Sequence, residues 1–498
     1  MNYDYKGIYL LEINGRLDGS SRFPSTKHWG FFPSASAGYR FSEEAYFAPL
    51  KQVVSDGKLR VSFGEIGNEA IGENMFVSTI ASGNANWVGS GSSKLSQYDM
   101  PSLVSNELSW ERIRTLDLGL DMGFFNNEYT LGFDWYERNT MDMLAPAVSM
   151  PATLGAAAPY RNNGTLRTRG WELSLGWNHI YNNDLLVYAN VNIGDAKSVV
   201  TKWDNDARLI NSTYEGMVYG DIWGFETDRL FTPEDFTGFD AKGNPTGYAA
   251  GVASQVGLQN KDFIYGVGDT KYKDLNGDGV IDGGRGTAED HGDLKVIGNM
   301  MPRYQYSFRL GAAWKGFDVD MFFQGVGKRD VWSQSSMVFP TVRDADATLF
   351  ANETDYWKGS FENGQWATTT GYNTTYARLF SGGNDKGTVA GIDNGNANYY
   401  PQSKYLTHMA YLRLKNLTIG YTLPESITKK VNIEKVRIYF SGENLFEIIN
   451  KANGPFDPET GGMKPTSGTG GSGSHTNSVF GRVDPFYRTL SFGVQVTL

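Results

Sequence analysis

Nine residues from Asp274 to Asp282 have the clearest potential for metal chemistry in this sequence. Side-chain oxygens stand at the first, third and fifth positions of the run, in Asp274, Asn276 and Asp278, and glycine stands at the sixth. Loops of the EF-hand type direct oxygens from these positions at one cation, and the seventh residue adds its backbone carbonyl. Val280 and Asp282 hold the seventh and ninth positions. The run therefore predicts a structural calcium site.

The twelfth position of this loop does not fit such a calcium site. A bidentate glutamate belongs there, whereas this chain has Arg285. Glu289 or Asp290 would have to fold back to replace the missing carboxylate. The alternative is a cluster of turns in an external loop, held by bonds from Asp and Asn side chains to the backbone. Both interpretations stay open, and both give the loop a structural rather than a catalytic role.

Aromatic side chains in the connecting segments are the candidates for ligand contact. Flat rings can stack on the faces of sugars, while the alternative roles are packing within a loop or a place in the aromatic belt of a membrane protein. The candidates, which would contact a sugar or a peptide, are Trp87, Trp357, Trp366, Tyr372 and Tyr376.

No pattern typical of catalysis stands out. The chain has no cysteine, its five histidines show no metal-ligand spacing, and its serines lack the Gly-x-Ser-x-Gly elbow of hydrolases. Its net charge of −10 argues against nucleic acid, which requires a basic face. We therefore expect a protein that is not an enzyme, has no nucleic-acid partner and has no cofactor besides the calcium ion considered above.

The last ten residues of the chain have the alternation of a membrane strand. One face is wholly apolar and the other is wholly small or polar, because strand side chains point alternately to opposite sides. About ten residues is also the length that a tilted strand needs to cross the hydrocarbon layer of a bilayer. The apolar face consists of Leu490, Phe492, Val494, Val496 and Leu498.

The same alternation recurs in hairpins that have short turns at one end and long connections at the other. Tight turns are predicted at Lys315-Gly316, Asn126-Asn127 and Asn182-Asn183. The long connections, rich in Gly, Asn and Pro, are Asn139–Arg169, Lys197–Met217 and Asp330–Ser403. This sorting of loops is typical of outer-membrane barrels. Apolar faces as aromatic as these would aggregate in water, whereas they suit contact with lipid.

Counting period-two runs predicts roughly 14 strands, one of them at Tyr219–Phe231. In the strand Tyr411–Leu423 the apolar phase slips, so we expect a β-bulge near Lys415-Asn416. Glu43–Val54, preceded by Ser42 as an N-cap, is predicted to form one short helix.

The sequence shows neither a membrane helix nor a signal peptide. No stretch approaches the roughly 18 consecutive apolar residues that a membrane helix requires. The first residues also lack the basic start and apolar run of a signal peptide. Because an outer-membrane protein must be exported, we expect this chain to be a fragment that lacks its true beginning.

A series of short motifs spans the chain. They are Arg16-Leu-Asp-Gly-Ser-Ser-Arg-Phe, Phe32-Pro-Ser, Phe41-Ser-Glu-Glu, Lys58-Leu-Arg-Val-Ser-Phe-Gly, Gly67-Asn68, Ser109-Trp-Glu-Arg, Leu118-Gly-Leu-Asp, Trp135-Tyr-Glu-Arg-Asn-Thr, Asp142-Met-Leu, Asn163-Gly, Arg169-Gly-Trp-Glu-Leu-Ser, the run that begins at Asp274, Gly316-Phe-Asp-Val, Ser441-Gly-Glu-Asn-Leu-Phe and the terminal strand. In this order, and nearly from end to end, they resemble the C-terminal half of SusC/RagA-type TonB-dependent outer-membrane transporters of Bacteroidota.

The resemblance implies a barrel of 22 strands closed by an N-terminal plug domain. Residues 1–498 would be the C-terminal part of that barrel, roughly 14 of its strands, without the plug, the TonB box and the first strands. It also implies location in the cell outer membrane and contact with the lipid bilayer. The implied partners are TonB, acting through the missing part, a SusD-like surface lipoprotein, and an oligosaccharide or oligopeptide substrate.

The expected fold is all-β, a partial antiparallel transmembrane β-barrel with long extracellular loops and short periplasmic turns. The expected function is part of an active nutrient importer. One alternative is a passive porin-like or adhesive barrel, which would lack a plug and a TonB box in the upstream coding sequence. The other is a soluble glycan-binding β-protein, which detergent-free solubility of the full-length product would favour.

Overall fold

The computed structural model describes residues 1–88, 94–146, 153, 158–182, 184–259, 263–333, 338–340, 349–379, 386–389, 392–452, 457–460 and 484–498. The chain divides into two compact units. The first comprises Met1–Gly176, Asp195–Asp206 and Tyr214–Val218, and the second comprises Trp177–Gly194, Ala207–Thr213 and Tyr219–Leu498.

Thirteen strands form one large sheet, and their order in the sheet is their order in the chain. Each strand therefore lies beside its sequence neighbour, as in an up-and-down barrel wall. The described strand order is linear rather than closed. The strands are β1 (Asn2–Tyr5), β2 (Tyr9–Gly19), β3 (Trp29–Tyr39), β4 (Val54–Asn68), β5 (Glu111–Phe124), β6 (Tyr129–Pro146), β7 (Tyr160–Tyr181), β8 (Leu185–Lys202), β9 (Arg303–Trp314), β10 (Phe317–Lys328), β11 (Tyr411–Thr422), β12 (Lys435–Asn450) and β13 (Thr489–Thr497).

Short antiparallel strand pairs occupy the long connections between the main strands. They pair Ser82–Val88 with Lys94–Tyr98, Asp221–Phe225 with Leu294–Asn299, Thr227–Leu230 with Thr270–Tyr272, Phe236–Phe239 with Pro245–Tyr248, Asp330–Val331 with Thr407–His408, Gly359–Glu362 with Gln365–Thr368, and Lys386–Val389 with Ile392–Asn396.

The helical elements are single turns or little more. One α-helical turn spans Glu425–Thr428, and 3-10 turns span Ser25–Lys27, Phe41–Glu43, Ala45–Leu50, Pro233–Asp235, Val256–Leu258, Ala351–Glu353, Ala397–Tyr399 and Lys429–Val431. Among the residues with described structure, no helix has the length and apolar character needed to cross a membrane.

The all-β antiparallel fold is confirmed, and the main sheet has 13 strands rather than about 14. One strand predicted from the sequence, Tyr219–Phe231, is not part of this sheet. It is broken into two short strands that pair within a long connection. Leu230 and Phe231 are adjacent in sequence and both fully buried. A strand with one face toward lipid would expose one of the two, so this segment belongs to a folded loop.

The turns and the bulge lie where the sequence places them. Lys315 and Gly316 both have positive φ, 48° and 89°, and so do Asn126 and Asn127. Asn182 also has positive φ, whereas Asn183 lies outside the described residues. Phe322 pairs with Asn416 and Phe323 pairs with Leu414, so Lys415 is the extra residue of a bulge.

Two expectations about element boundaries are wrong. The connection predicted at Asn139–Arg169 is largely strand, because β6 runs to Pro146 and β7 begins at Tyr160. β7 has 22 residues, about twice what a tilted strand needs to cross a bilayer. The single helix predicted at Glu43–Val54 is instead a 3-10 turn at Ala45–Leu50 with Pro49 inside it and no side-chain cap.

The apolar face of the terminal strand is open rather than covered. Phe492, Val494 and Leu498 are 84%, 64% and 91% exposed. In the described part of the chain these side chains do not enter either of the buried hydrophobic clusters. Exposure of this order on alternate residues is what a lipid-facing strand requires.

Replacing Gly316 by Val should weaken the β9–β10 hairpin. The φ of 89° is one that L-residues rarely adopt, and an added Cβ would meet the Thr422 carbonyl oxygen at 2.7 Å. We expect a loss of about 1–2 kcal/mol from backbone strain alone. The measurement is the temperature at which the whole protein, in detergent, loses its compact mobility on a gel.

Gly132→Ala is the matched control. Its Cβ would have no atom nearer than 3.8 Å, and its φ is not in the left-handed region. Equal midpoints for both variants and the parent protein would contradict the role of Gly316 in the turn.

Candidate functional site

Paired charges line the polar face of the main sheet in each unit. In the first unit, Arg60 contacts Asp121 at 2.7 Å and Asp134 at 2.9 Å. All three side chains are partly exposed, at 31%, 39% and 28%. Such pairs contribute modestly to stability, about 0–1 kcal/mol each. They form a partly exposed, charged surface on the side opposite the apolar face.

The second unit repeats this arrangement. Arg309 lies 2.7 Å from Asp320, and the Tyr188 hydroxyl donates to the same carboxylate. Arg437 pairs with Asp318 at 2.5 Å. The polar face predicted from the alternation is therefore present, and arginines of other strands pair with Asp318 and Asp320 on it.

The described residues of 219–302 and 349–409, here called the loop assembly, are held together by a buried ion pair. Asp269 is fully buried, and Arg378 reaches both its oxygens, at 3.2 and 2.7 Å. Burial raises the pKa of the Asp269 carboxyl, while Arg378 and hydrogen bonds from Asn398 and the Gly266 N–H oppose that rise. This pair thereby joins the two long connections at a desolvated point.

Amide side chains extend this joint. Asn398 donates to Asp269 at 2.9 Å and accepts from the Thr270 N–H at 2.8 Å. Gln402, also fully buried, donates to the carbonyls of Asn398 and Tyr400. Because the polar atoms of this network are satisfied by one another, it can remain buried and specify one arrangement of the loops.

A second buried ion cluster fixes residues 457–460, the described middle part of the last connection. Arg413 of β11 is 4% exposed and contacts Asp457 at 2.7 Å and Glu459 at 2.9 Å, as well as Glu447 of β12. Lys415 adds a contact to Glu459 at 2.9 Å. These contacts anchor residues 457–460 to the sheet. Sequence reasoning missed both clusters, because their members are scattered along the chain and share no spacing.

The five aromatic candidates for ligand contact fall into three environments. Trp357 and Tyr376 are 2% and 7% exposed and pack inside aromatic clusters of the loop assembly. Trp366 and Tyr372 are half-buried beside Trp357, and the Trp366 indole donates to the Gly243 carbonyl. Trp87 is 76% exposed on the hairpin Ser82–Tyr98. Of the five, Trp87 offers a ligand the most ring surface.

The segment 274–282 forms successive turns closed by its own side chains. The two oxygens of Asp274 accept from the N–H groups of Gly277 and Gly279, at 2.6 and 2.9 Å. Asn276 accepts from Asp278 N–H, and Asp278 accepts from Val280 N–H. Asp282 accepts from the Gly284 N–H. Several side-chain oxygen atoms are therefore concentrated in one short loop. Oxygen is the ligand atom that hard cations prefer.

The residues expected to complete that loop are engaged elsewhere. Arg285 pairs with Asp290 at 2.7 Å, and Glu289 pairs with Arg208. Asp293 lies beside the loop instead and accepts from the N–H groups of Leu275 and Asp282. Burial raises the pKa of the Asp293 carboxyl. Within the described residues, no group of three or more His, Asp or Glu side chains is arranged to hold a metal ion.

A protein-family profile matches almost the whole chain. Residues 1–445 match the family described as TonB dependent receptor-like, beta-barrel. Among curated proteins, TonB-dependent receptor P3 of Formosa agariphila is 27% identical over 472 residues, which cover 92% of this chain and 41% of that protein. TonB-dependent receptor SusC of Bacteroides thetaiotaomicron is 26% identical over 474 residues, covering 92% and 40%.

Solved structures show the same fold. The RagAB peptide importer in its closed-closed state matches with a TM-score of 0.66 at 22% identity, covering 99% of this chain and 46% of that one. Its open-open state matches with a TM-score of 0.64, covering 100% and 46%. The chain thus spans less than half the length of each of these relatives.

Removing the charge of Asp269 should loosen the loop assembly. Asp269→Asn leaves Arg378 without its buried counter-charge, and breaking such a pair costs about 3–5 kcal/mol. We expect trypsin to cleave the whole protein faster within residues 378–404, which mass spectrometry of the fragments would show.

Asp228→Asn is the control, because the Asp228 carboxylate is 39% exposed and lies 3.8 Å from Lys271. If both variants are digested at the rate of the parent protein, the buried pair does not hold the loops.

Proposed function

We propose that this chain, which belongs to the TonB dependent receptor-like, beta-barrel family, is part of an outer-membrane importer that takes up an oligosaccharide or an oligopeptide. The observation that carries the proposal is the two-faced main sheet. Its outer side exposes alternate apolar residues, and its inner side carries paired charges. That division supports the proposal, because contact with lipid requires an apolar side and a hydrated passage requires a polar one.

Active import, rather than passive diffusion, is favoured by the family. TonB would supply the energy through a part of the whole protein outside residues 1–498. A SusD-like surface lipoprotein would capture the substrate and dock on the loop assembly. The ordered, internally bonded connections support this assignment, because a docking surface gains affinity when its shape exists before binding. The family is one of transport receptors, and we assign no catalytic step to any residue.

Trp87 is our candidate for substrate contact on the loops. Its indole is 76% exposed, and stacking on a sugar or peptide group would contribute about 0.5–1.5 kcal/mol. Separately, in the loop assembly, Trp366 and Tyr372 would present ring edges to a ligand, and Trp357 and Tyr376 would support that part of the assembly by packing.

Uptake of labelled oligosaccharides and oligopeptides tests the proposal. Cells with the intact whole protein should accumulate one of these classes, and loss of TonB should abolish accumulation. Trp87→Ala should lower the affinity for that substrate about threefold to tenfold, while Tyr98→Ala on the same hairpin should not. Uptake that is unchanged without TonB would indicate a passive pore and contradict the proposal.

We also propose that the loop 274–282 holds a structural calcium ion. Asp274, Asn276, Asp278 and Asp282 would supply side-chain oxygens and Val280 its carbonyl. The support is the concentration of oxygen donors within nine residues. When bound, the ion would offset two of the three carboxylate charges and stabilise the folded loop.

Calcium should raise the unfolding temperature of the whole protein, and the increase should grow with the calcium concentration. The reason is that an ion that binds only the folded state stabilises that state, by about 2.7 kcal/mol at 100 times its Kd. Asp278→Asn separates this from the turn-only alternative. The asparagine amide oxygen can still accept from the Val280 N–H. The substitution nevertheless removes one negative charge from the groups that would hold the ion. We expect the variant to match the parent in EDTA and to lose most of the calcium response. Identical melting of the parent in calcium and in EDTA would favour the turn cluster alone.

A further inference from the structure

The connection between β3 and β4, residues 40–53, lies on the outward side of the sheet. In β2, Tyr9 shares a face with Leu11 and Ile13, which are 40% and 47% exposed. In β3, Tyr39 shares a face with Phe31, which is 55% exposed. The two tyrosine rings stack at 5.3 Å. Their hydroxyls therefore mark the end of the apolar, outward-facing surface.

Those hydroxyls hold the connecting segment. The Tyr9 hydroxyl donates to Glu44 at 2.5 Å, and the Tyr39 hydroxyl lies 2.8 Å from that of Tyr46. Phe47 is 9% exposed and packs edge-on against Phe41 at 5.3 Å. The segment is thus fastened against the outer rim rather than left free, and the 3-10 turn Ala45–Leu50 has a defined inner side.

The opposite side of the turn is apolar and uncovered. Tyr46, Leu50 and Val53 are 65%, 54% and 48% exposed. Lys51 lies among them, 41% exposed and 3.0 Å from Glu43. On the neighbouring short turn, Phe125 is 51% exposed, and its N–H donates to the Val53 carbonyl at 2.9 Å. The result is an apolar rim with a charged residue within reach of lipid headgroups.

We propose that residues 41–53 form an interfacial anchor that inserts Tyr46, Leu50 and Val53 at the boundary between headgroups and acyl chains of one membrane leaflet. The occupant of this surface is phospholipid. Continuity with the outward face supports that choice, because the same stacked tyrosines belong to both surfaces. Tyr and Lys are also residue types that favour the interface, with an apolar body and a polar tip. The anchor would set the depth of the short-turn end, and it rests on the membrane location in the proposed function.

Fluorescence quenching by brominated lipids tests the anchor. The chain has no cysteine, so a single cysteine in an otherwise cysteine-free whole protein can carry a fluorophore. The protein is placed in vesicles of phosphatidylethanolamine and phosphatidylglycerol. Labels at Leu50→Cys and Val53→Cys should be quenched by bromine near the headgroup end of the acyl chain. This quenching should be at least about twofold stronger than that of a label at Lys242→Cys. Both labels should also be shielded from aqueous iodide.

Two controls separate the possible failures. Ile13→Cys, on the outward face of β2, should be quenched by bromine placed deeper in the bilayer, and Lys242→Cys, in an exposed loop, by iodide only. Quenching at Ile13 without quenching at Leu50 and Val53 would overturn the anchor while leaving the membrane location intact. Shielding of Leu50 in cells but not in lipid vesicles would indicate a protein partner and also overturn it. No lipid quenching at Ile13 would overturn the proposed function itself.

Discussion

Backbone hydrogen bonding between sequence-adjacent antiparallel strands is the interaction on which the rest of this protein depends. In a hydrocarbon layer, N–H and C=O groups find partners only in other backbone groups. Pairing each strand with the next satisfies this demand over long registers, such as that from Val54 opposite Phe124 to Asn68 opposite Glu111. Once strands are paired in this way, alternation directs each side chain either outward to the apolar face or inward to the polar face.

The inward choice explains the distribution of charge. Arginines on one strand meet carboxylates on the neighbouring strands, as Arg60 does with Asp121 and Asp134. Because these side chains remain partly exposed, they pair without a large desolvation cost. Where charged side chains are buried, the balance differs. Asp269 of the loop assembly and Arg413 of β11 lie where almost no solvent reaches, so each requires several partners, and those partners fix how distant loop segments pack.

The outward-facing side chains explain which residues lie where the apolar surface ends. A strand that leaves the bilayer must end in residues that tolerate both lipid and water, and tyrosine does so with its ring and hydroxyl. Tyr9 and Tyr39 use their hydroxyls to hold a short connection in place. The same pair of rings therefore ends the apolar surface and begins the turn. These contacts link the end of the apolar surface to the conformation of the segment that follows it.

Local chemistry in the sequence by itself determined the strands, their two faces, the turns at Lys315-Gly316 and Asn126-Asn127, and the bulge at Lys415. Those features follow from side-chain alternation and from the φ that a tight turn requires, which neighbouring residues specify. Tertiary structure alone decided that Tyr219–Phe231 leaves the main sheet, that Trp357 and Tyr376 are buried, and that Asp269 meets Arg378 across 109 residues of chain. The physical reason is that burial in the loops depends on which distant segments pack together, and no local period in the chain encodes that choice.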